Sequence, residues 1–372
     1  MLDTKEKMLS NFLDKITQEI DLPEFKYQQA IERYEAVGNF LSENNSNSSD
    51  YNPIIYSHGS FRLGTVVKPF KAEEFDIDLV CQLSSSPSIG QKKLYELVGN
   101  RLNEDGKYRK ILQPKTRCWR LKYANEFHMD ILPAIPDSVN TDHSILIPDK
   151  ELHSWQFSNP IDYVDWFYDK MEQRRKELIL EAKVDIEDVP FYRFKTPLQK
   201  SIQILKRHRD ILFENDQDDK PISIIITTLA AKAYNNDHRL FESLMHIVEN
   251  MPKQFDNLNG DIVVLNPVNK KENFADKWET HKERKEKFLK WLDSLKYSID
   301  EILGIKGFQR LDEKLGTMFG KSVVERVFKR HPEVLEEYQK AGLLKVSSTG
   351  LLGSVGTEMK KNTFYGKEKK IS

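Results

Sequence analysis

Apolar residues recur at helical spacing through the first forty positions, as Leu9, Leu13, Ile16 and Ile20 and then as Ile31, Tyr34, Val37 and Leu41. The spacing predicts two amphipathic helices. The polar stretch 42–52, with its Asn-Asn-Ser-Asn-Ser-Ser run, reads as a loop. Apolar and β-branched clusters then predict strands over 53–57, 75–83, 115–123 and 127–135, with a helix over 91–103, which makes an α/β or α+β lobe. From about residue 160 strand patterns largely stop, and helical periodicity runs through 161–181, 197–213, 223–234 and 277–302. The charged segment 270–290 carries Phe274, Trp278, Phe288 and, just beyond, Trp291 at spacings that suit a helix face, so it reads as a solvated amphipathic helix. The pattern divides the chain into N-terminal helices over 1–50 that brace a sheet-bearing lobe over 51–157, a helical lobe over 158–346 and a mobile tail over 347–372.

Composition narrows the choice of function. A chain of 372 residues is long enough for two lobes with a cleft between them. With 57 basic and 58 acidic side chains it has no global field to attract a long polyanion. No apolar run approaches the ~20 residues of a membrane span, which points to a cytoplasmic protein without a membrane partner. Cys81 and Cys118 lie in apolar, strand-like settings without zinc or disulfide spacing and read as buried free thiols. Trp155, Trp166 and Phe167 are assigned to the core.

The chemistry begins where the apolar run Ile54-Ile55-Tyr56 enters a Gly59-Ser60 turn. Such a turn offers amides and a hydroxyl to a phosphate, although by itself it is as readily an ordinary turn. In Phe75-Asp76-Ile77-Asp78-Leu79-Val80 two carboxylates share one face of a strand, with Cα atoms about 6.6 Å apart. Either this is an edge strand with solvated aspartates or the charges are neutralised by cations. A third carboxylate, Asp130, alternates onto the same face as His128 and opposite Phe127, Met129 and Ile131. If the two strands pair, three carboxylates converge, a set of hard oxygen ligands suited to Mg²⁺ or Mn²⁺, two ions per site. In that scheme Asp76 and Asp78 bridge both ions. Asp130 binds the ion at the attacking hydroxyl and helps to take its proton, and Ser60 holds the β- and γ-phosphates.

The order Gly59-Ser60, Asp76-x-Asp78, Asp130 resembles the polymerase-β-type nucleotidyltransferases. The fuller strings Gly-Ser-Phe-Arg-Leu-Gly-Thr-Val-Val and Glu-Phe-Asp-Ile-Asp-Leu-Val resemble one branch, the bacterial CD-NTases, anti-phage signalling synthases related to cyclic GMP-AMP synthase and oligoadenylate synthase. The resemblance covers 50–240 well, including the runs from Pro197 to Asp210 and from Pro221 to Leu229, and the remainder loosely. It implies an α+β fold, a nucleotidyltransferase lobe with a mixed sheet joined to an oligoadenylate-synthase-like helical lobe. It also implies a template-independent synthase that turns nucleoside triphosphates into a 3′,3′-linked cyclic di- or trinucleotide for a separate effector. By position, Lys206 would contact the triphosphate, Ser223 would add a hydroxyl, and Arg62 and Thr65 would add contacts near the turn.

Neither the zinc-binding insertion nor the basic surfaces of the vertebrate DNA sensor are evident, so double-stranded nucleic acid is not an expected partner. Some relatives have their C-terminus joined to other proteins by a conjugation system, and Asn362-Thr-Phe-Tyr-Gly366 is a candidate for that role beside the reading of an ordinary loose end. Two alternatives keep the fold. One transfers a nucleotide to an RNA 3′ end or to a protein or small-molecule acceptor; the other is a non-catalytic nucleotide sensor.

Overall fold

A computed structural model describes residues 2–43, 49–70, 74–84, 89–124, 126–139, 143–151, 153–182, 193–305, 308–340 and the short strands 345–346, 352–353 and 357–358. The segment 362–366 lies outside the described residues. Helices α1 (Leu2–Ile20) and α2 (Glu24–Ser42) open the chain. They are followed by β1 (Pro53–His58), the one-turn α3 (Gly59–Arg62), β2 (Phe75–Leu83), α4 (Gln91–Glu104) and α5 (Gly106–Arg109). Then come β3 (Leu112–Pro114), β4 (Trp119–Tyr123), β5 (Phe127–Pro136), β6 (Ile145–Asp149) and β7 (Ser154–Ser158). The sheet runs β1-β2-β5-β4-β3, with β6 and β7 continuing from β5. Only β2 and β5 pair in parallel; every other pairing in this sheet is antiparallel, so the sheet is mixed and the fold is α+β.

Period-2 alternation gives this sheet two unlike faces. Phe75, Ile77, Leu79 and Cys81 of β2 and Phe127, Met129 and Ile131 of β5 point into a core that α2 and α4 cover with Tyr27, Ala30, Val37, Leu94, Val98 and Leu102. The interleaved positions carry the polar side chains of the site.

The helical lobe contains α6 (Pro160–Asp169), α7 (Glu172–Ala182), α8 (Pro197–Leu212), α9 (Ser223–Ala233) and α10 (Leu240–Asn250). Two hairpins follow, β8 (Asp256–Leu258) with β9 (Asp261–Val263) and β10 (Leu265–Asn266) with β11 (Asn269–Asn273). Helices α11 (Lys277–Thr280), α12 (Lys282–Gly304), α13 (Phe308–Phe319), α14 (Lys321–Arg330) and α15 (Pro332–Lys340) complete it, beyond which β12 (Lys345–Val346), β13 (Leu352–Gly353) and β14 (Thr357–Glu358) pair with one another.

Three expectations change. Helix α1 does not brace the sheet lobe: Met8, Leu9, Phe12, Leu13, Ile16 and Ile20 are buried in the core of the helical lobe. The lysine of Lys5 donates to the carbonyls of Leu303 (2.6 Å) and Ile305 (2.8 Å), tying the same helix to the end of α12. The segment 270–290 is not one solvated helix but the end of β11, α11 and the start of α12, and its Trp278 and Phe288 are buried with Trp291. Cys81 is buried as expected, whereas Cys118 precedes β4 and is half-buried. No helix among the described residues is long and apolar enough to cross a membrane.

Candidate active site

The polar face of the sheet is built by register. In the parallel pair, Asp76 lies opposite His128 and Asp78 opposite Asp130. Across the antiparallel pair Arg120 of β4 lies opposite Asp130, and on the other side His58, the last residue of β1, lies opposite Asp78. Two neighbouring strands, β2 and β5, thus bring Asp76, Asp78 and Asp130 onto one face, as alternation predicts if the strands pair.

Gly59 allows the next turn to lie against this row. Its φ is +66°, and a Cβ placed there would come 2.2 Å from Asp78 Oδ2, so both backbone conformation and space require glycine. Ser60 follows it in α3, and the amide of Thr65 closes the turn on the Ser60 carbonyl at 3.0 Å. The carboxylate of Asp78 is therefore pinned between the Gly-Ser turn and β5.

Arg120, absent from the sequence reading, is the principal cation of the face. It grips Asp130 with Nε to Oδ1 at 2.6 Å and Nη2 to Oδ2 at 2.7 Å, and reaches Asp76 at 3.4 Å. This two-point contact, with the charges of Asp130 and Asp76, raises the Arg120 pKa above its ordinary value against the opposing effect of burial. His128 Nε2 meets Glu74 at 2.6 Å, extending the row toward Lys122. The alternation Trp119-Arg120-Leu121-Lys122 puts Arg120 on the polar side of a strand, but its pairing with Asp130 depends on a register that no local pattern specifies.

Burial pushes the Asp78 carboxyl up to about 7, and the charges of Asp76 and Asp130 push the same way. Burial also brings the His58 imidazole down to about 4 despite the Asp130 charge, leaving it neutral at pH 7. The Cys118 thiol is pushed up to about 12 by burial and by Asp130, which makes it a poor nucleophile. Burial is the largest cause of all three shifts, and the neighbouring carboxylates add to those of Asp78 and Cys118. The donor set is all oxygen, as a hard divalent cation requires, and the register fits such an ion. The side chains as they stand are not closed into a cage, because Arg120 holds Asp130; among the described residues no group of three or more metal-ligating side chains is drawn together.

The second half of the site comes from α8. Its capping box on Thr196 and Pro197 at the first turn start a helix with twelve of sixteen residues buried. Ile202, Leu205 and Arg209 are buried while Leu212 is exposed, and most of the helix is covered nearly all round. Polar side chains at Gln199, Gln203, Lys206 and Arg207 hold the irregular chain after α3. They donate to the carbonyls of Leu63 (2.9 Å), Val66 (2.6 Å), Thr65 (3.0 Å) and Lys68 (2.7 Å) in turn. Lys206 also donates to Thr65 Oγ1 at 3.0 Å and is buried, so the structure brings Thr65 and Lys206 together as a pair. Burial, reinforced by Arg209, lowers the Lys206 pKa to about 7, while Asp210 and Asp78 oppose the fall.

The remaining sequence candidates lie at the margin. Arg62 is exposed at the end of α3, where its carbonyl accepts from the Tyr168 hydroxyl. Ser223 opens α9, and its hydroxyl accepts from Arg209 Nη1 at 2.9 Å rather than facing the carboxylates.

The profile of the Second Messenger Oligonucleotide or Dinucleotide Synthetase domain matches residues 7–170. A c-di-GMP synthase of Roseivirga ehrenbergii is 30% identical over 369 residues, covering 96% of this chain and 97% of the relative. The cyclic dinucleotide synthase CdnG of Bradyrhizobium diazoefficiens is 25% identical over 358 residues, 86% of this chain and 82% of the relative. The solved structure of the Bradyrhizobium diazoefficiens CD-NTase CdnG in complex with GTP superposes with a TM-score of 0.71 at 23% identity, covering 87% of this chain and 99% of that one. On a likeness that spans nearly the whole of both chains, and a fold shared with CdnG, the protein belongs to the bacterial CD-NTases, nucleotidyltransferases of the polymerase-β type.

Proposed function

We propose that this chain joins two nucleoside triphosphates, at least one of them GTP, into a cyclic dinucleotide on the carboxylate face. The observation that carries the reading is the register that sets Asp78 beside Asp130, with Asp76 on the same face of β2. The guanine assignment is supported by the c-di-GMP synthase and GTP-bound CdnG likenesses.

In each of two steps a ribose hydroxyl oxygen of one nucleotide bonds to the α-phosphorus of the other. The bond from that phosphorus to pyrophosphate breaks, and the hydroxyl proton passes to the Asp130 carboxylate. Arg120 fixes that carboxylate in orientation until substrate arrives. Ser60 and the neighbouring amides hold the β- and γ-phosphates as pyrophosphate leaves. Lys206, whose charge burial suppresses, regains its proton preference when a triphosphate brings negative charge nearby. Mg²⁺ or Mn²⁺, two ions held by Asp76, Asp78 and Asp130, would neutralise phosphate charge and lower the pKa of the attacking hydroxyl. The released dinucleotide would signal to a separate effector in defence against phage.

The test incubates purified protein with Mg²⁺ and the four labelled triphosphates, singly and pooled, then with phosphatase, and identifies the survivors by mass spectrometry. The expected result is a phosphatase-resistant cyclic dinucleotide formed only when GTP is present and absent from an Asp76→Asn, Asp78→Asn double variant. A product that required added RNA or another acceptor would overturn the reading.

A further inference from the structure

A cavity of about 410 Å³ opens between α1, α7, the start of α8 and the residues leading into α10. It shares no lining residue with the carboxylate face, and its size is that of a small-molecule site. Its wall carries five fixed cations, Lys7, Arg174, Lys195, Lys200 and Arg239, against one carboxylate, Asp14.

Two of those cations are far from ordinary surface positions. Lys195 is 7% exposed and Arg174 also 7%, and buried cationic groups are costly unless something compensates them. Their protein partners compensate in part. Arg174 binds Glu177 (2.9 Å) and Glu181 (3.2 Å), Lys195 binds Asp21, and Arg239 binds Glu242 (3.0 Å). None of these carboxylates belongs to the cavity wall, whose own Asp14 binds Lys200 at 2.8 Å. They fix the cations from behind and lower the net charge of the neighbourhood, while the wall itself stays positive. Arg174 Nε is buried and without a hydrogen-bond partner, a donor left over after both of its ion pairs. Pro197, the first residue of α8, also lines the cavity, so the positive end of that helix dipole adds to the same field.

We propose that this cavity binds a compact, multiply charged oxyanion, a phosphate-bearing or polycarboxylate small molecule, at a site separate from the nucleotide site. Lys7 and Lys200 stand on α1 and α8, so an occupant held by both bridges the first helix to the central one. Binding is electrostatic and weakens as salt rises.

The test is calorimetric titration of the full chain with inorganic pyrophosphate and, separately, with citrate. Divalent cations are stripped beforehand on a chelating resin, with no soluble chelator left in the buffer, so that the carboxylate face, without cations, repels both. Binding of either probe is expected, retained in Ser60→Ala and weakened about tenfold or more in the doubly reversed Lys7→Glu, Lys200→Glu variant. The milder Lys7→Gln, Lys200→Gln variant, which removes the charge and shortens each side chain by one atom, is expected to lose affinity severalfold while keeping the parent's melting temperature. Pyrophosphate alone would mark a phosphate ligand, and citrate alone a carboxylate ligand. Absence of binding by both probes, or equal binding by parent and charge-reversed protein, would overturn the proposal; neither result bears on dinucleotide synthesis.

Discussion

Asp78 shows how far a single residue departs from its ordinary chemistry when two strands of aspartates meet. It is half-buried, opposite Asp130 and two residues from Asp76, and loss of solvent with those two charges raises its carboxyl from 3.8 to about 7. A carboxyl whose folded pKa is raised is disfavoured in its ionised form by folding, so ionisation costs stability once pH exceeds the unfolded value. In the metal-free protein, Asp78→Asn is therefore expected to equal the parent in stability below about pH 4. It should gain through pH 4 to 7 and stay ahead above, by an amount on the order of 2–4 kcal/mol. Urea denaturation in EDTA at pH 5 and pH 8 measures it, and a variant less stable than the parent at pH 8 would remove like-charge strain from the account. The common face of the three aspartates was legible because period-2 alternation assigns faces without knowledge of partners, and the turn because Gly59-Ser60 follows an apolar run. Arg120 was not, because its role exists only through the pairing of β4 with β5.

At the scale of elements, strong local patterns translated into structure and mixed ones did not. The expected strand over 75–83 is β2, and the helix expected over 91–103 is α4, longer by one residue. The strand β6 went unread because it is short and carries Pro148, a residue that argues against a central strand. The helix expected over 270–290 is interrupted by side chains that bind backbone in its place. Asn273 Oδ1 accepts from Val264 N (3.3 Å) and Ala275 N (2.9 Å), and the Asp276 carboxylate accepts from Lys277 N at 2.7 Å. In α8 the spacing of Gln199, Gln203, Lys206 and Arg207 is a buried polar stripe whose purpose is to satisfy the carbonyls of 63–68. Gln203→Leu leaves the Val66 carbonyl and Asp21 without that donor. We expect a loss of about 1–3 kcal/mol and a raised KM for GTP with a smaller effect on kcat, read by denaturation and steady-state kinetics. Unchanged stability and KM would mean that the stripe does not hold the segment.

Across the whole molecule the N-terminal helices belong to different bodies: α2 to the sheet core, α1 to the helical core. Amphipathic periodicity announces a buried face but not what it is buried against, and the assignment of α1 to the sheet lobe failed there. Phe12 is fully buried among the helical-lobe residues, next to Phe328 and Tyr338 with ring centroids 5.4 and 6.3 Å away. Phe12→Ala is expected to cost about 3–5 kcal/mol. Hydrogen exchange should then rise first in α8, α10 and α14 and only later in β2 and β5; the reverse order would return α1 to the sheet lobe. Because α8 grips the chain after the Gly-Ser turn while the sheet carries the carboxylates, loosening either lobe is expected to reach the site.

The most direct measurement of the central claim, that the shared face of β2 and β5 is where nucleotides are joined, is the rate of pyrophosphate release from GTP by Asp130→Asn compared with the parent. The fold of both proteins is checked beforehand by circular dichroism and melting temperature. The account predicts a variant that is folded but slower by about 10²–10⁴-fold, the range expected for losing a positioned proton acceptor. A folded Asp130→Asn protein that releases pyrophosphate as fast as the parent would contradict it.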